Sequence, residues 1–287
     1  MLNRIVYVNG DYINEHDAKV SIFDRGFLFA DAVYEVTAVV NGHLIENEGH
    51  MNRLARSCNE LELTLPVTIE ELTHIQQELI RLNQLDEGGI YLQLSRGTAG
   101  DRDFAYPQNI QPTLVLFTQA RSLLDSPKAK KGMKVVTIED IRWHRRDIKT
   151  VQLLAPCMAK QFALSQGYDD AWLTEGGYIT EGSSNNAYIV TEHNTVVTRP
   201  LSRDILHGIT RQALLDLGAK HAIKIEERLF TPEEAMHAKE AFISSATTFV
   251  YPVVEINDQP IGDGKPGPIA KQLRDIYIDL VKRQSAS

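Results

Sequence analysis

The sequence predicts an α+β fold, on three observations from its first half. The turn dipeptide Asn41-Gly42 joins two apolar segments and is the strongest hairpin signal in the chain. Residues 89–97 alternate apolar and polar side chains, as a half-buried strand does. Apolar residues at helical spacing predict a helix over 48–62 and another after Thr68. Strands and helices in one segment indicate sheet and helix layers packed on a common core.

The elements of this first half follow from local signals in chain order. Residues 4–8 predict a first strand, and 112–118 predict a strand after the one at 89–97. Thr68 and Glu71 have the spacing of a capping box, which begins the second helix.

A charged segment that contains Ser-Pro, residues 120–132, is predicted to link two domains. The division gives a small N-terminal α/β domain, residues 1–119, and a larger C-terminal domain, residues 133–287. The second part alternates short strands with Gly and Asn turns. Helices are predicted there from Thr210, after the cap residue Thr231, and at the amphipathic C-terminus.

The composition is that of a folded globular protein, with 43% apolar and 24% charged residues among 287. A formal net charge of −8 argues against nucleic acid or an anionic membrane as the main partner. The two cysteines, Cys58 and Cys157, lack metal-binding spacing, so we expect no metal and a reducing compartment. No signal-like apolar region opens the chain, and we expect a cytoplasmic protein.

One lysine and one carboxylate stand out within residues 140–186. Lys149 follows an Arg/His-rich run and precedes an apolar segment, where a carbonyl could reach a neutral amine. Glu181 precedes small hydroxyl and amide residues, and a carboxylate in such a turn could bond the pyridinium nitrogen of pyridoxal phosphate. Each feature alone is also typical of a surface lysine or an ordinary turn.

Four motifs together resemble the fold-type IV pyridoxal-phosphate enzymes, which include D-amino-acid and branched-chain aminotransferases and 4-amino-4-deoxychorismate lyase. The motifs are Arg142-Trp143, Asp147-Ile148-Lys149, Thr180-Glu181-Gly182-Ser183-Ser184-Asn185 and Leu206-His207-Gly208-Ile209-Thr210-Arg211. They follow the order of the family, and the similarity covers nearly the whole chain. The resemblance implies a small α/β domain, a larger β-barrel-like domain, a cofactor in the cleft between them, and a homodimer.

The same resemblance implies which residues hold pyridoxal 5′-phosphate. Lys149 bonds covalently to the cofactor and moves a proton, and Glu181 bonds the pyridine N1–H. Arg53 grips the phosphate, together with the backbone N–H groups of a helix that opens at Ile209 and Thr210. The remaining contacts that the resemblance implies are Leu206, Ser245 and Thr247.

The substrate residues come from a second set of similarities. Val33-Tyr34-Glu35-Val36 resembles the signature of D-amino-acid aminotransferases, whereas branched-chain enzymes read more like FEGIR and the lyases like FTT. The resemblance implies that Tyr34 and Arg102 bind the substrate carboxylate, with Arg25 as a further arginine. This chain departs from the family's Arg-x-His pattern, because Phe104 follows Arg102 where the histidine is expected.

These features lead to one main hypothesis, a pyridoxal-phosphate aminotransferase that prefers D-amino acids. The family implies D-alanine and 2-oxoglutarate as substrates, with pyruvate and D-glutamate as products. A branched-chain L-amino-acid aminotransferase or an (R)-amine transaminase is the alternative on the same fold, followed by aminodeoxychorismate lyase.

A non-catalytic pyridoxal-phosphate carrier is an alternative of another class. Glu181 disfavours it, because a carrier needs no carboxylate at the ring nitrogen. The expected partners are small-molecule amino acids and 2-oxo acids and a second copy of the chain, but neither nucleic acid nor a membrane.

Overall fold

The computed structural model describes residues 3–286, which pack into two compact units. One unit holds the residues up to Ser122, the segment Ile148–Gln152 and the residues from Lys282 onward. The other holds Leu123–Asp147 and Leu153–Val281. Both units contain strands and helices, which confirms the α+β fold class.

The first unit is built on a six-stranded antiparallel sheet. Its strands are β1 (Ile5–Val8), β2 (Asp11–Asn14), β3 (Ala32–Val40), β4 (His43–Leu44), β5 (Gly88–Ser95) and β6 (Thr113–Ala120). They lie in the order β2-β1-β6-β5-β3-β4. Its helices are α1 (Arg25–Phe29), α2 (Asn47–Glu60) and α3 (Ile69–Asn83).

Two local signals of this unit are confirmed. Asn41 and Gly42 have φ angles of 50° and 75°, the left-handed pair that a tight hairpin between β3 and β4 requires. The Glu71 N–H donates to Thr68 Oγ1 at 3.1 Å, and the Thr68 N–H donates to the Glu71 carboxylate at 2.7 Å. The capping box therefore begins α3 as predicted.

The second unit is built on a nine-stranded mixed sheet. Its strands are β7 (Met133–Glu139), β8 (Asp170–Glu175), β9 (Tyr178–Gly182), β10 (Asn186–Val190), β11 (Val196–Thr198), β12 (Ile225–Glu227), β13 (Glu240–Ser245), β14 (Phe249–Ile256) and β15 (Gln259–Pro260). They lie in the order β12-β11-β10-β13-β14-β7-β8-β9, with β15 beside β14. The helices that begin in this unit are α4 (Pro127–Lys131), α5 (Leu154–Ser165), α6 (Ile209–Lys220), α7 (Pro232–Met236) and α8 (Pro268–Gln284).

The nine-stranded sheet curls on itself. Strand β9 lies at one edge of the sheet and β10 in its interior, yet only residues 183–185 connect them. So short a connection brings the edge strand over the interior of the sheet, as in a barrel-like fold. Buried Trp172 packs edge-on against Phe230, with ring centroids 6.3 Å apart, in the apolar core of this unit.

One segment groups differently from the predicted division. Ile148–Gln152 belongs to the first unit, although the sequence places it in the domain 133–287. The reason is backbone bonding to β3, where the Tyr34 N–H donates to the Lys149 carbonyl at 3.0 Å. The two compact units are defined by packing contacts. The domain limits and the linker at 120–132 therefore stay a prediction.

Helix α5 lacks a clear signal in the sequence. Its apolar side chains do not form one buried stripe, since Leu154, Met158 and Phe162 are 75%, 53% and 46% exposed. Pro156 lies in its first turn, where the missing N–H breaks no bond within the helix.

Candidate active site

The predicted site residues divide between the two units, and each set has its own surroundings. The first unit holds Arg25, Tyr34, Arg53, Arg102 and Lys149. The second unit holds Glu181, Leu206, Ile209, Thr210, Ser245 and Thr247.

Lys149 is fixed by its backbone and left without a counter-ion. Its N–H donates to Ser57 Oγ at 3.3 Å, and its carbonyl accepts from Tyr34. Its half-buried side chain places Nζ 4.3 Å from the centroid of the Tyr34 ring. Across residues 3–286, no carboxylate or hydrogen-bond acceptor meets this Nζ. An amine held only over an aromatic face is available to react with a carbonyl.

Arg53 lies in a buried ionic cluster between α2 and β3. Its Nε and Nη2 donate to the two carboxylate oxygens of Glu35, each at 2.7 Å. The Nδ1 of His50 lies 2.8 Å from Glu35 Oε2. All three side chains are almost fully buried, so Arg53 is not a solvated residue of the helix surface.

The protonation states of this cluster follow from its contacts. Burial acts to raise the pKa of Glu35, but the charge and hydrogen bonds of Arg53 outweigh it and hold that pKa well below its ordinary value. Burial lowers the pKa of His50, against the opposing effect of Glu35. Because an ionised carboxylate can only accept, the neutral His50 ring carries its hydrogen on Nδ1.

Arg25 is buried, with its guanidinium held inside the protein. Its Nε donates to Asp31 Oδ2 at 2.8 Å, and its Nη1 donates to the Asp103 carbonyl at 2.6 Å. Arg25 is the first residue of α1. Asp24 caps this helix, because its side chain accepts a hydrogen bond from the Gly26 N–H. The structure therefore connects this arginine to the loop that contains Arg102.

Arg102 is exposed and lies between two aromatic rings. Its Cζ is 5.0 Å from the centroid of Phe29 and 4.8 Å from that of Phe104. In the part of the chain that the structure describes, neither its guanidinium nor the Tyr34 hydroxyl has a hydrogen-bond partner. Both groups are therefore open to a carboxylate.

Glu181 is a buried carboxylate that several donors hold. Arg142 Nη1 donates to its Oε1 at 2.6 Å, and Asn186 Nδ2 donates to its Oε2 at 3.0 Å. The Leu206 N–H lies 3.1 Å from both oxygens. Burial raises the pKa of Glu181 above its ordinary value, although Arg142 and the Leu206 N–H act to lower it.

Arg142 divides its donors between two carboxylates. Its Nε and Nη2 donate to the Asp140 carboxylate at 2.9 and 2.7 Å, which leaves Nη1 for Glu181. The sequence contains Arg142 in a motif but does not single out Arg142 or Asn186 as site residues. A buried carboxylate requires a cation, yet no spacing along the chain shows which arginine supplies it.

The first turn of α6 lies close to the Glu181 carboxylate. Asn186 Nδ2 also donates to the Leu206 carbonyl at 3.0 Å, just before the helix. Gly208, the N-cap, provides no side-chain cap, and a Cβ there would lie 2.1 Å from Asn186 Oδ1. Ile209 and buried Thr210 follow. Uncapped N–H groups at a helix N-terminus suit a phosphate.

Ser245 and Thr247 lie at the turn that follows β13. Ser244 is the register partner of Asn186 in β10, so Ser245 is one residue from that contact. The Ser245 and Thr248 hydroxyls lie 2.8 Å apart, and Thr247 is half-buried in the turn. Hydroxyls at this turn are further candidate donors to a phosphate.

These side chains meet the chemical needs of pyridoxal phosphate. Lys149 offers an amine without a counter-ion, Glu181 a buried carboxylate, and α6 an uncapped N-terminus. Within residues 3–286, no cluster of His, Cys, Asp or Glu could hold a metal ion. None of the helices in that range is long and apolar enough to cross a membrane.

Comparisons with known proteins find relatives that match almost the whole chain. The family model for class IV amino-transferases matches residues 32–256. A D-alanine aminotransferase of Staphylococcus aureus (strain N315) is 36% identical over 283 residues, which cover 98% of this chain and 99% of that protein. A D-alanine aminotransferase of Bacillus licheniformis is 37% identical and covers 98% of both chains.

Solved structures show the same fold. The branched-chain amino acid aminotransferase of Thermobaculum terrenum, solved in its pyridoxal-phosphate holo-form, superposes with a TM-score of 0.85. The match covers 98% of this chain and 95% of that one at 22% sequence identity. At this identity the likeness concerns the fold alone.

Proposed function

We propose that this chain, which belongs to the class IV aminotransferases, transaminates D-amino acids with pyridoxal 5′-phosphate as its cofactor. Relatives that are D-alanine aminotransferases, 36% and 37% identical over almost the full chain, support this substrate class. The proposed reaction converts D-alanine and 2-oxoglutarate to pyruvate and D-glutamate.

The half-buried amine of Lys149 carries the proposal. When bound, pyridoxal phosphate supplies a carbonyl carbon that exchanges amino groups and a ring that withdraws electrons. Lys149 Nζ, which lacks a counter-ion over the Tyr34 ring, would hold the cofactor covalently and, once the substrate amine has replaced it, would take the proton from the substrate Cα. Glu181 would accept a hydrogen bond from the ring N1–H and keep that nitrogen protonated.

The proposed phosphate contacts are a positive charge, backbone N–H groups and hydroxyls. Arg53 contributes positive charge, and the N–H groups of Ile209 and Thr210 open α6. Ser245, the last residue of β13, and Thr247, in the turn after it, add hydroxyls. Leu206, whose N–H bonds Glu181, completes the proposed cofactor contacts.

The substrate carboxylate is assigned to Arg102 and Tyr34, whose polar groups have no partner among residues 3–286. An arginine fork suits a carboxylate because two parallel hydrogen bonds fix its plane. Arg25 belongs to the same proposed substrate region through the loop that contains Arg102.

The attachment of the cofactor is tested by borohydride reduction and peptide mass mapping. We expect the pyridoxyl adduct on Lys149, and no adduct in a Lys149→Ala control. An adduct on Lys134 or Lys160 would remove Lys149 from the proposal.

The substrate class is tested by assaying D- and L-alanine in parallel with 2-oxoglutarate. We expect pyruvate from D-alanine and little from L-alanine. The branched-chain structures share the fold, so L-leucine and an (R)-amine complete the panel. A preference for L-leucine would favour the branched-chain alternative.

We also propose a cytoplasmic homodimer. Two free cysteines agree with a reducing compartment. Large exposed apolar side chains agree with a subunit interface, among them Phe27 and Phe104, which are 74% and 75% exposed. Sedimentation velocity tests the dimer, and cell fractionation tests the compartment.

A further inference from the structure

Arg25 uses its donors on one carboxylate and on the backbone of one loop. Nη1 donates to the carbonyls of Asp103 at 2.6 Å and Ala105 at 3.3 Å, and Nη2 donates to that of Phe104 at 3.4 Å. Nε donates to Asp31, and the whole residue is only 4% exposed. Three consecutive carbonyls thus converge on one buried guanidinium.

The carboxylate at the other end of this connection is itself fixed. Arg96 donates from Nε to Asp31 Oδ2 at 2.7 Å and from Nη2 to Oδ1 at 3.1 Å. Arg96 also donates to the carbonyls of Leu61 and Glu62, at 2.6 and 3.0 Å. Asp31 therefore stays in place, and Arg25 extends from a rigid point to the loop.

The loop segment that Arg25 holds begins directly after Arg102. Arg102 is exposed, and no hydrogen bond from the described residues fixes its guanidinium. The backbone at Asp103 and the rings of Phe29 and Phe104 determine where that guanidinium lies. The buried Arg25 thus holds the segment that follows the exposed Arg102, whose guanidinium contacts two rings but makes no hydrogen bond within residues 3–286.

We propose that Arg25 is a positioning residue, which anchors residues 103–105 and thereby sets Arg102 for the substrate carboxylate. The proposal rests on the proposed function, in which Arg102 binds that carboxylate. A substrate could reach Arg25 directly only by displacing Asp31 or the loop carbonyls. This chain needs the anchor more than the family pattern does, because Phe104 replaces the histidine that would otherwise help Arg102.

The first test is Arg25→Lys, which keeps the positive charge but loses the planar fork of donors. Hydrogen–deuterium exchange of the substrate-free holoenzyme should become about tenfold faster for the peptide that covers residues 101–106. The KM for D-alanine should rise about tenfold, with a smaller fall in kcat. Arg4→Lys is the matched control, because Arg4 also binds a carboxylate and a carbonyl, those of Glu15 and Thr118.

The exchange measurement distinguishes an anchor of the loop from a direct substrate ligand, because it is made without substrate. Unchanged exchange in Arg25→Lys would overturn the proposal, whatever happens to KM. Faster exchange with an unchanged KM would overturn it too, since loop order would then have no bearing on substrate binding. If the enzyme does not use D-amino acids at all, the proposed function fails, and the exchange measurement still decides whether Arg25 anchors the loop.

Two further variants keep the test decisive if Arg25→Lys does not fold. Tyr106→Leu removes a ring 3.7 Å from Arg96 Cζ and 5.7 Å from Arg25 Cζ but leaves both guanidinium groups. We expect about threefold faster exchange of the loop and a matching rise in KM. Arg102→Gln removes the ligand and its ring contact to Phe104 but leaves the bonds of Arg25, so KM should rise while exchange of residues 103–106 becomes at most about threefold faster. About tenfold faster exchange in Arg102→Gln, or unchanged exchange in Tyr106→Leu, would contradict the assignment.

Discussion

Two buried glutamate–arginine pairs, one in each unit, behave in opposite ways. In the first unit, Arg53 bonds both oxygens of Glu35, and the pKa of Glu35 lies well below its ordinary value. In the second unit, Arg142 bonds one oxygen of Glu181, and the pKa of Glu181 lies above its ordinary value. The same two residue types thus favour the ionised carboxylate at Glu35 and the protonated carboxyl group at Glu181.

The difference lies in how each arginine is shared. Arg53 gives Glu35 a two-bond fork, and His50 adds a further contact. Arg142 gives its fork to Asp140, so Glu181 receives a single bond from it and also feels the negative charge of Asp140. Burial then decides the outcome for Glu181, because it penalises the ionised form.

The comparison shows what each pair can do. Glu35 has the whole fork of Arg53 and serves to hold it. Glu181 also has several donors, but Asp140 shares the charge of Arg142, so a protonated ring N–H would still add to the stabilisation of the Glu181 charge. We therefore expect the first pair to govern stability and the second to govern reaction rate.

The largest expected effect is on stability, in Glu35→Gln. Removing this charge breaks the buried ion pair with Arg53, which should cost about 3–5 kcal/mol in the free energy of unfolding. Urea unfolding of the apoenzyme at pH 7 measures it. Glu15→Gln is the control, because Glu15 accepts from Nε and Nη2 of the partly exposed Arg4, both on Oε2, and its loss should be much smaller. Equal losses in both variants would break the comparison.

The next effect is on rate, in Glu181→Gln. A neutral amide cannot stabilise a protonated ring nitrogen as a carboxylate does, so the half-reaction with D-alanine should slow about 100-fold, or about 2.7 kcal/mol. Single-turnover absorbance measures it, and the cofactor should remain bound. Glu227→Gln, which removes the partner of buried Arg211, should leave the rate unchanged. Wild-type rates in Glu181→Gln would exclude Glu181 from the mechanism.

A smaller effect concerns cofactor retention in Arg53→Lys. The lysine keeps a positive charge beside Glu35 but cannot present a planar fork, so affinity for pyridoxal phosphate should fall about tenfold. Titration of the apoenzyme with the cofactor, followed by absorbance, measures the affinity. Arg81→Lys is the control, since Arg81 bonds Glu78 through an exposed fork. If Arg53→Lys and Arg81→Lys bound the cofactor with similar affinity, Arg53 would have no role in cofactor binding beyond its ion pair with Glu35.

The smallest effect is a difference of sign in the pH dependence. The lowered pKa of Glu35 gives stability that is fully present above its unfolded value of about 4.5 and is lost as the pH falls below it. The advantage of wild type over Glu35→Gln should shrink there by up to about 1.4 kcal/mol per pH unit.

Glu181 should show the reverse. Its pKa is raised, so the cost of its buried charge is present above the folded pKa and disappears as the pH falls towards 4.5. The free energy of unfolding of wild type should therefore rise relative to that of Glu181→Gln as the pH falls through that window. Unfolding curves of the three proteins between pH 7 and pH 3 measure both trends, and parallel trends would show that the two pairs are equivalent.

Local signals in the sequence determined several turns and helix starts of this protein, and the family to which it belongs. The Asn41-Gly42 hairpin and the capping box at Thr68 depend only on neighbouring residues, and the structure contains both. The motifs around Lys149 and Glu181 likewise identified the family, because their residue types and their order resemble those of its members.

Tertiary structure alone decided which charges meet. Arg142 reaches Glu181 across 39 positions of the chain, and Arg25 reaches Asp103 across 78. Neither contact leaves a local pattern, because sheet order and burial set which side chains converge. The same packing decided that Glu181 is buried, which raises its pKa, and that the fork of Arg142 goes to Asp140, which leaves that rise unopposed by a second bond from Arg142.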